Sequence, residues 1–303
     1  MTTIRVPAST SNLGPGFDSH GLALSLYLTL EVEPTENPYG TFTFEGEGAE
    51  ELRTAAEDNI IFSAMRFAAD REGIALQPAR IHVANEIPLA RGLGSSGAAI
   101  IAGLSAFEVI SGVELTTAKL LSYATEIEGH SDNVAAALLG SFVVSCVTEA
   151  GEVLAAPVRW PAEVRALVAV PDFKVKTEHA RGVLPATLSL QDAVFNIQRA
   201  SLMVAAVSGK HFGLMREAAR DRVHQPHRAP LVPGLNEVLA LADEGSAPDL
   251  LAVALSGSGP TVVVFAAKGL DGIGRLVERC FERHGIRSEI RVLDIETQGR
   301  VVD

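Results

Sequence analysis

The sequence predicts an α+β protein built from two domains. Its 303 residues exceed the roughly 100–200 of an ordinary single domain, and 47% of them are hydrophobic, enough for two cores. Segments of period 2 and period 3.6 both recur along the first half. In the second half they fall in the order β-α-β-β-α-β once a helical insert is read as one crossover, which is the split ferredoxin-like pattern. Pro157 and Pro161 punctuate the chain between the halves, so the first domain is expected over 1–158 and the second over 159–303.

Thr2–Val6 reads as a short strand. Leu24, Leu26, Leu28, Leu30 and Val32 alternate with Ser25, Tyr27, Thr29 and Glu31, a strong strand signal that Pro34 ends. Phe42 and Phe44 suggest a partner strand, followed by an acidic loop. Ile61, Met65 and Ala68 give helical spacing over Asn59–Glu72, with Gly73 as the stop. Ile81, Val83 and Ile87 predict another strand up to Pro88. Ser95–Ile110, Thr116–Glu128 and Ser131–Leu139 read as helices, and Ser141–Thr148 as a β run. Beyond the boundary come a strand over Ala166–Val170, a helix over Leu190–Val207 with further helices, and strands over Leu250–Leu255 and Thr261–Ala266. A helix over Ile273–His284 and a strand over Glu289–Ile295 complete the pattern.

Charge and composition exclude several functions. With 37 acidic against 25 basic residues the formal charge is −12, the wrong sign for a nucleic-acid or anionic-membrane partner. The uncharged run Leu250–Ala267 reaches membrane-spanning length, but Ser-Gly-Ser-Gly-Pro interrupts it. Met1–Pro7 lacks the apolar core of a secretion signal, so a soluble, cytoplasmic protein is expected. Cys146 and Cys280 make neither a disulfide framework nor a metal cage, and both read as small buried hydrophobes. His224 and His227 lack a neighbouring Cys or carboxylate cluster, which weighs against a metal pair. Trp160 reads as an inter-domain packing residue.

The glycines carry the functional signal, clustering at 14–21, 92–97 and 257–259. The central cluster, Pro88-Leu-Ala-Arg-Gly-Leu-Gly-Ser-Ser-Gly97, lies between a strand and a helix N-terminus, the arrangement whose free amides bind phosphate. Gly92, Gly94 and Gly97 fit G-x-G-x-x-G, yet the second strand ending in an acid that a dinucleotide site requires does not follow. No Lys-Ser or Lys-Thr follows the glycines as in a Walker loop. Ser95 and Ser96 also suit simple helix caps. In Glu126-Ile-Glu-Gly-His-Ser-Asp-Asn133, a carboxylate at a helix C-terminus is electrostatically disfavoured, and a bound Mg²⁺ would compensate it. His130, Asp132 and Asn133 also suit turn and cap chemistry. The loops Pro7–Asp18 and Leu255–Thr261 are too rich in glycine and polar residues for plain connections, and no Gly-x-Ser-x-Gly elbow occurs.

In this order and spacing the three loops resemble the three motifs of the GHMP kinases, a superfamily of small-molecule kinases. The first loop, PASTSNLGPGFD, with EGHSDNVA and TEHARGVLP at 177–185, resembles the branch that acts on homoserine, and the likeness runs from Val6 to about Val292. The resemblance implies a ribosomal-protein-like N-terminal domain before the ferredoxin-like one, ATP and Mg²⁺, and transfer of the γ-phosphoryl group to the side-chain hydroxyl of L-homoserine in threonine biosynthesis. It further implies a homodimer. Residue by residue, it places Asn59 near the adenine and assigns ATP to Pro88, Leu89, Ala90, Arg91, Gly92, Leu93, Gly94, Ser95, Ser96 and Gly97. Ser96 and Glu126 would be the Mg²⁺ ligands. Asn12, Asp18, His130, Asp132, Thr177, Arg181, Arg228 and Gly257 would surround homoserine, with Arg222 or His227 as alternatives to Arg228. Many GHMP kinases use an Asp base supported by a Lys. Here the comparable stretch is Asp132-Asn133, with no lysine in the first loop, so catalysis without a dedicated base is expected, its reacting residues being Ser96, Glu126, Asp132 and Asn133.

Overall fold

The longest strand signal lies at the centre of the first sheet. The structure, a computed structural model, describes residues 1–37, 40–54, 59–243 and 247–303. Its first half runs β1 (Thr2–Ser11), β2 (His20–Pro34), β3 (Thr41–Gly46), α1 (Ala49–Thr54), α2 (Ile60–Glu72), β4 (Ala79–Asn85), α3 (Ser95–Ser111), α4 (Thr117–Glu128), α5 (Asp132–Leu139), β5 (Phe142–Val147) and β6 (Val153–Val158). The acidic loop expected after Phe44 thus contains α1, and its residues 55–58 lie outside the described ones. The second half runs β7 (Arg165–Pro171), α6 (Thr177–Gly182), α7 (Leu190–Ser208), α8 (Met215–Ala218), α9 (Gln225–Arg228), α10 (Leu235–Ala240), β8 (Leu250–Leu255), β9 (Val262–Ala266), α11 (Leu270–Glu282), β10 (Ser288–Leu293) and β11 (Val301–Val302).

β1 and β2 are longer than their hydrophobic patterns. The polar residues of the first loop's flanks extend the ladder, with Thr10 opposite Leu22 and Ser11 opposite Gly21. The first sheet has seven strands: β11-β1-β2-β4-β3 in order, with β5 on β2 and β6 on β5. Pro157 sits in β6, which among the described residues pairs only with β5. An edge strand tolerates a residue without an N–H, so the proline read as punctuation is part of a strand. The expectation of a second domain running unbroken to 303 needs correction: β11 returns to pair with β1, Ile4 opposite Val302.

The second sheet is antiparallel in the order β10-β7-β9-β8, as the ferredoxin-like pattern requires. Its two faces serve different cores. Val263 and Phe265 of β9 join the large core shared with the first sheet, while Val262, Val264 and Ala266 pack against α10 and α11. Trp160 spans the junction, its ring centroid 6.1 Å from Phe142 and 4.9 Å from Phe265, as expected of an inter-domain residue. Cys280 is buried, but Cys146 is exposed, contrary to its expected burial. It lies near the tip of the β5–β6 hairpin, where the last residues of β5 run clear of the core. Among the described residues no helix is long and apolar enough to cross a membrane.

Candidate active site

The three glycine-containing loops come together at the junction of the two sheets. Ser9 N–H donates to Leu93 O at 3.1 Å and Gly257 N–H to Ser11 O at 3.1 Å, while the Ser256 hydroxyl reaches both Thr10 Oγ1 (2.8 Å) and Gly92 O (2.5 Å). Gly94 caps α3 with a left-handed φ of 67°. The first α3 hydrogen bond runs from Ala98 N to Gly94 O, so the amides of residues 95–97 are spare, and Ser95 and Ser96 line a cleft. That cleft is lined from one side by Ala90, Arg91, Gly92, Leu93, Gly94, Ser95 and Ser96, and from the other by Asn12, Asp18, His130, Asp132, Asn133, Thr177, Arg181, Arg228 and Gly257. Pro88, Leu89 and Gly97 do not line it, nor does Asn59. Asn59 caps α2, accepting from Ile61 N at 2.9 Å, and among the described residues its buried Nδ2 has no partner.

Glu126 is the member of the expected set that needs correction. It lies exposed on the far face of α4, paired with Arg71. Glu128 lines the cleft instead and accepts from Ser96 Oγ at 2.6 Å. Helix phase accounts for the exchange. The buried positions of α4 are Leu120, Leu121 and Ala124, and the next residue on that face is four along, at 128. Burial pushes the Glu128 carboxyl above its ordinary value against the opposing hydrogen bond from Ser96, so a cation arriving there would be strongly favoured.

Next to Glu128, His130 and Asp132 form a pair, Nδ1 to Oδ1 at 2.7 Å. Burial works to lower the His130 pKa, but Asp132 and Glu128 outweigh it and raise it overall. Burial likewise opposes ionisation of Asp132. Its bonds with His130 and the Asn133 amide, helped by the nearby Ser11 hydroxyl, still hold it below the usual carboxylate value. The raised histidine contributes stability that is fully present below its ordinary value of 6.5 and lost as pH rises through its folded pKa. The depressed Asp132 contributes stability that is lost only as pH falls through its own lowered pKa. The advantage of the parent protein over His130→Gln in urea melts should therefore be largest in mildly acidic buffer and shrink through neutrality; a difference that grows with pH would contradict the assignment.

Asn133 is clamped rather than free: Ser9 Oγ donates to its Oδ1 and its Nδ2 donates to Ser11 Oγ, both at 2.9 Å. Across the cleft Arg181 grips Asp18 with two bonds of 3.0 and 2.7 Å. Asn12 fixes this loop, accepting from Asp18 N and donating to Gly257 O at 3.0 Å. Arg228 is 2% exposed, and among the described residues no carboxylate lies within ion-pair distance of it. Its guanidinium donates to Ala180 O and Gly257 O, and burial lowers its pKa to about 10. Thr177 faces Ser258 at 3.4 Å. Of the alternatives to Arg228, Arg222 pairs with Asp192 away from the cleft, and His227 does not line it. His224, read only as half of a weak metal pair, is fully buried beside the cleft and bonded to Gly14 O.

A glycine loop at a helix N-terminus, a Ser96–Glu128 oxygen pair and a cluster of charges between an α+β domain and a ferredoxin-like one are the arrangement a small-molecule kinase needs. The family models for the GHMP kinases N terminal domain and the GHMP kinases C terminal match residues 59–141 and 199–283. Homoserine kinase from Moorella thermoacetica is 41% identical over 302 residues, covering all of both chains. That of Schizosaccharomyces pombe is 36% identical, covering 99% of this chain and 98% of the relative. The crystal structure of homoserine kinase from Cytophaga hutchinsonii superposes with a TM-score of 0.83 at 26% identity, over 100% of this chain and 97% of that one. The chain belongs to the homoserine kinase family of the GHMP kinases.

Proposed function

We propose that this protein transfers the γ-phosphoryl group of ATP to the side-chain hydroxyl of L-homoserine, giving O-phospho-L-homoserine and ADP, a step of threonine biosynthesis. The observation that carries this reading is one cleft with spare α3 amides at one end and the Asp18, Arg181 and Arg228 charges at the other. A zwitterionic amino acid replaces the Asp18–Arg181 pair in kind, its ammonium taking Asp18 and its carboxylate taking Arg181 and the unpartnered charge of Arg228. The hydroxyl then lies toward His130 and Asp132. The triphosphate lies along Gly92–Gly97, and the adenine extends toward the unpartnered Nδ2 of Asn59.

Ser96 and Glu128 fit Mg²⁺: they are two hard-oxygen donors, too few for a complete protein shell and suited to an ion that keeps phosphate and water ligands. When bound, Mg²⁺ neutralises charge developing on the phosphoryl oxygens. Asp132 is a poor general base, because its Oδ1 is engaged by both His130 and the Asn133 amide and its pKa is depressed. Its work is to hold His130 and the hydroxyl in place, while Asn133, clamped by two serines, keeps the cradle and the acceptor in register. Positioning and charge neutralisation then supply the acceleration. The same reading makes the protein a cytoplasmic homodimer, which light scattering on the purified chain tests.

A coupled ADP-release assay tests the function. Turnover with L-homoserine and ATP is expected only when Mg²⁺ is present, and turnover with mevalonate but not homoserine would overturn the assignment.

A further inference from the structure

One carboxylate outside the cleft organises several of its walls. Asp221, in the segment between α8 and α9, has a fully buried side chain. Its oxygens accept from Asn196 Nδ2 at 2.7 Å and from the backbone amides of residues 223, 224 and 225 at 2.9, 3.0 and 2.7 Å. Four neutral donors thus hold a buried charge and fix the turn into α9. From that turn the network reaches the substrate loops. His224 Nε2 lies 2.8 Å from Gly14 O, Asn196 Nδ2 lies 3.3 Å from Pro15 O, and the Arg228 guanidinium bonds Gly257 O and Ala180 O, next to Arg181.

Chemistry fixes the histidine tautomer. Arg228 Nη1 lies 3.3 Å from His224 Nδ1, and a guanidinium has no acceptor, so Nδ1 carries the lone pair and Nε2 the proton. The proton is given to Gly14 O and lies on the side of Asp221, whose Oδ2 is 3.6 Å away. Every polar atom of the imidazole is therefore committed, one to the first loop and one to the cleft arginine.

We infer that Asp221 is a positioning residue for substrate selection. Through its hold on the α9 turn, which seats His224 against Arg228, it aims the Arg228 guanidinium, and so sets how strongly the enzyme demands a carboxylate on its amino-alcohol substrate. This rests on the reading of Arg228 as a carboxylate partner. Asparagine at 221 keeps the shape but turns an amide N–H₂ toward donors that need an acceptor, which tilts the turn and the arginine with it.

The test compares kcat/KM for L-homoserine with that for 3-aminopropan-1-ol, the same molecule without its carboxylate. Asp221→Asn is expected to shrink the preference for homoserine by about tenfold or more while the KM for ATP stays within about twofold. A preference unchanged from the parent, whether both activities persist or fall together, would overturn the inference. Should Asp221→Asn fail to fold, His224→Gln carries the same test. It keeps a donor for Gly14 and removes the ring nitrogen that accepts from Arg228, and the same loss of preference is expected. A parent enzyme that does not turn over homoserine at all refutes the proposed function instead, so the two failures are distinguishable.

Discussion

Glu128→Gln is expected to lower kcat by on the order of 10²–10³-fold, with a raised Mg²⁺ requirement, whereas Glu126→Gln leaves both within about twofold. The two residues differ by half a helical turn. Glu128 faces the cleft, bonded to Ser96 and buried enough for its carboxyl pKa to rise; Glu126 faces solvent and Arg71. If Glu128 and Ser96 hold Mg²⁺ as proposed, losing a negative oxygen there removes part of the cation's anchoring. Losing an exposed ion pair costs at most about 1 kcal/mol of stability and touches no chemistry. Steady-state kinetics with Mg²⁺ varied at saturating ATP decides the matter. Parent-like turnover in Glu128→Gln, or the large loss in Glu126→Gln, would show that Ser96 does not share its cation with Glu128.

The same pair shows how far residues alone carry the reading. That a carboxylate near the end of α4 meets the phosphate loop was legible in the sequence, and so was the phase that selects it. Leu120, Leu121 and Ala124 define the inward face, which continues to 128 and leaves 126 outside. The resemblance pointed to the motif and assigned Glu126; the phase of α4, read against its buried face in the structure, puts Glu128 beside Ser96 instead. Asp18, Arg181 and Arg228 were each legible as charges of the right type, but their present pairing was not. Arg181 lies 163 positions from Asp18, and only the fold makes their salt bridge. Asp221 had no signal at all, because a carboxylate before a His-Gln-Pro run reads as an ordinary helix cap until Asn196 and Gly14 are brought beside it.

The fold was legible where pattern is long. β2 and the ferredoxin-like half follow directly from alternation and order. β11, at two residues, is too short to carry a period, and β6 was hidden by a proline that its edge position permits. Cys146 illustrates a further limit. Apolar neighbours mark it as buried, but whether a strand end stays under its covering helix depends on how far the hairpin projects.

Gly92→Ala should be strongly damaging for a single-methyl change, lowering kcat/KM for ATP by about 10²-fold and depressing the thermal midpoint. Gly92 has a φ of 81°, and a left-handed conformation costs a residue with a Cβ about 1–2 kcal/mol. Strain is the smaller part. The added carbon would drive into the backbone carbonyl of Ser256 and come within 3.0 Å of Gly259 O, so relief requires moving one loop against another. Those contacts are the stitches of the site: Gly92 O accepts from the Ser256 hydroxyl, and Arg91 O accepts from Thr261 N at 3.2 Å. A shift at Gly92 therefore displaces the spare amides ahead of α3 and the loop carrying Gly257, which bonds Asn12 and Arg228. Both substrates should bind worse, ATP more so because its cradle moves directly. Kinetics for each substrate, run beside a thermal melt, separates this from general destabilisation. If the midpoint falls while both KM values stay at parent levels, the loop contact is structural only and the glycine is not needed for the cradle.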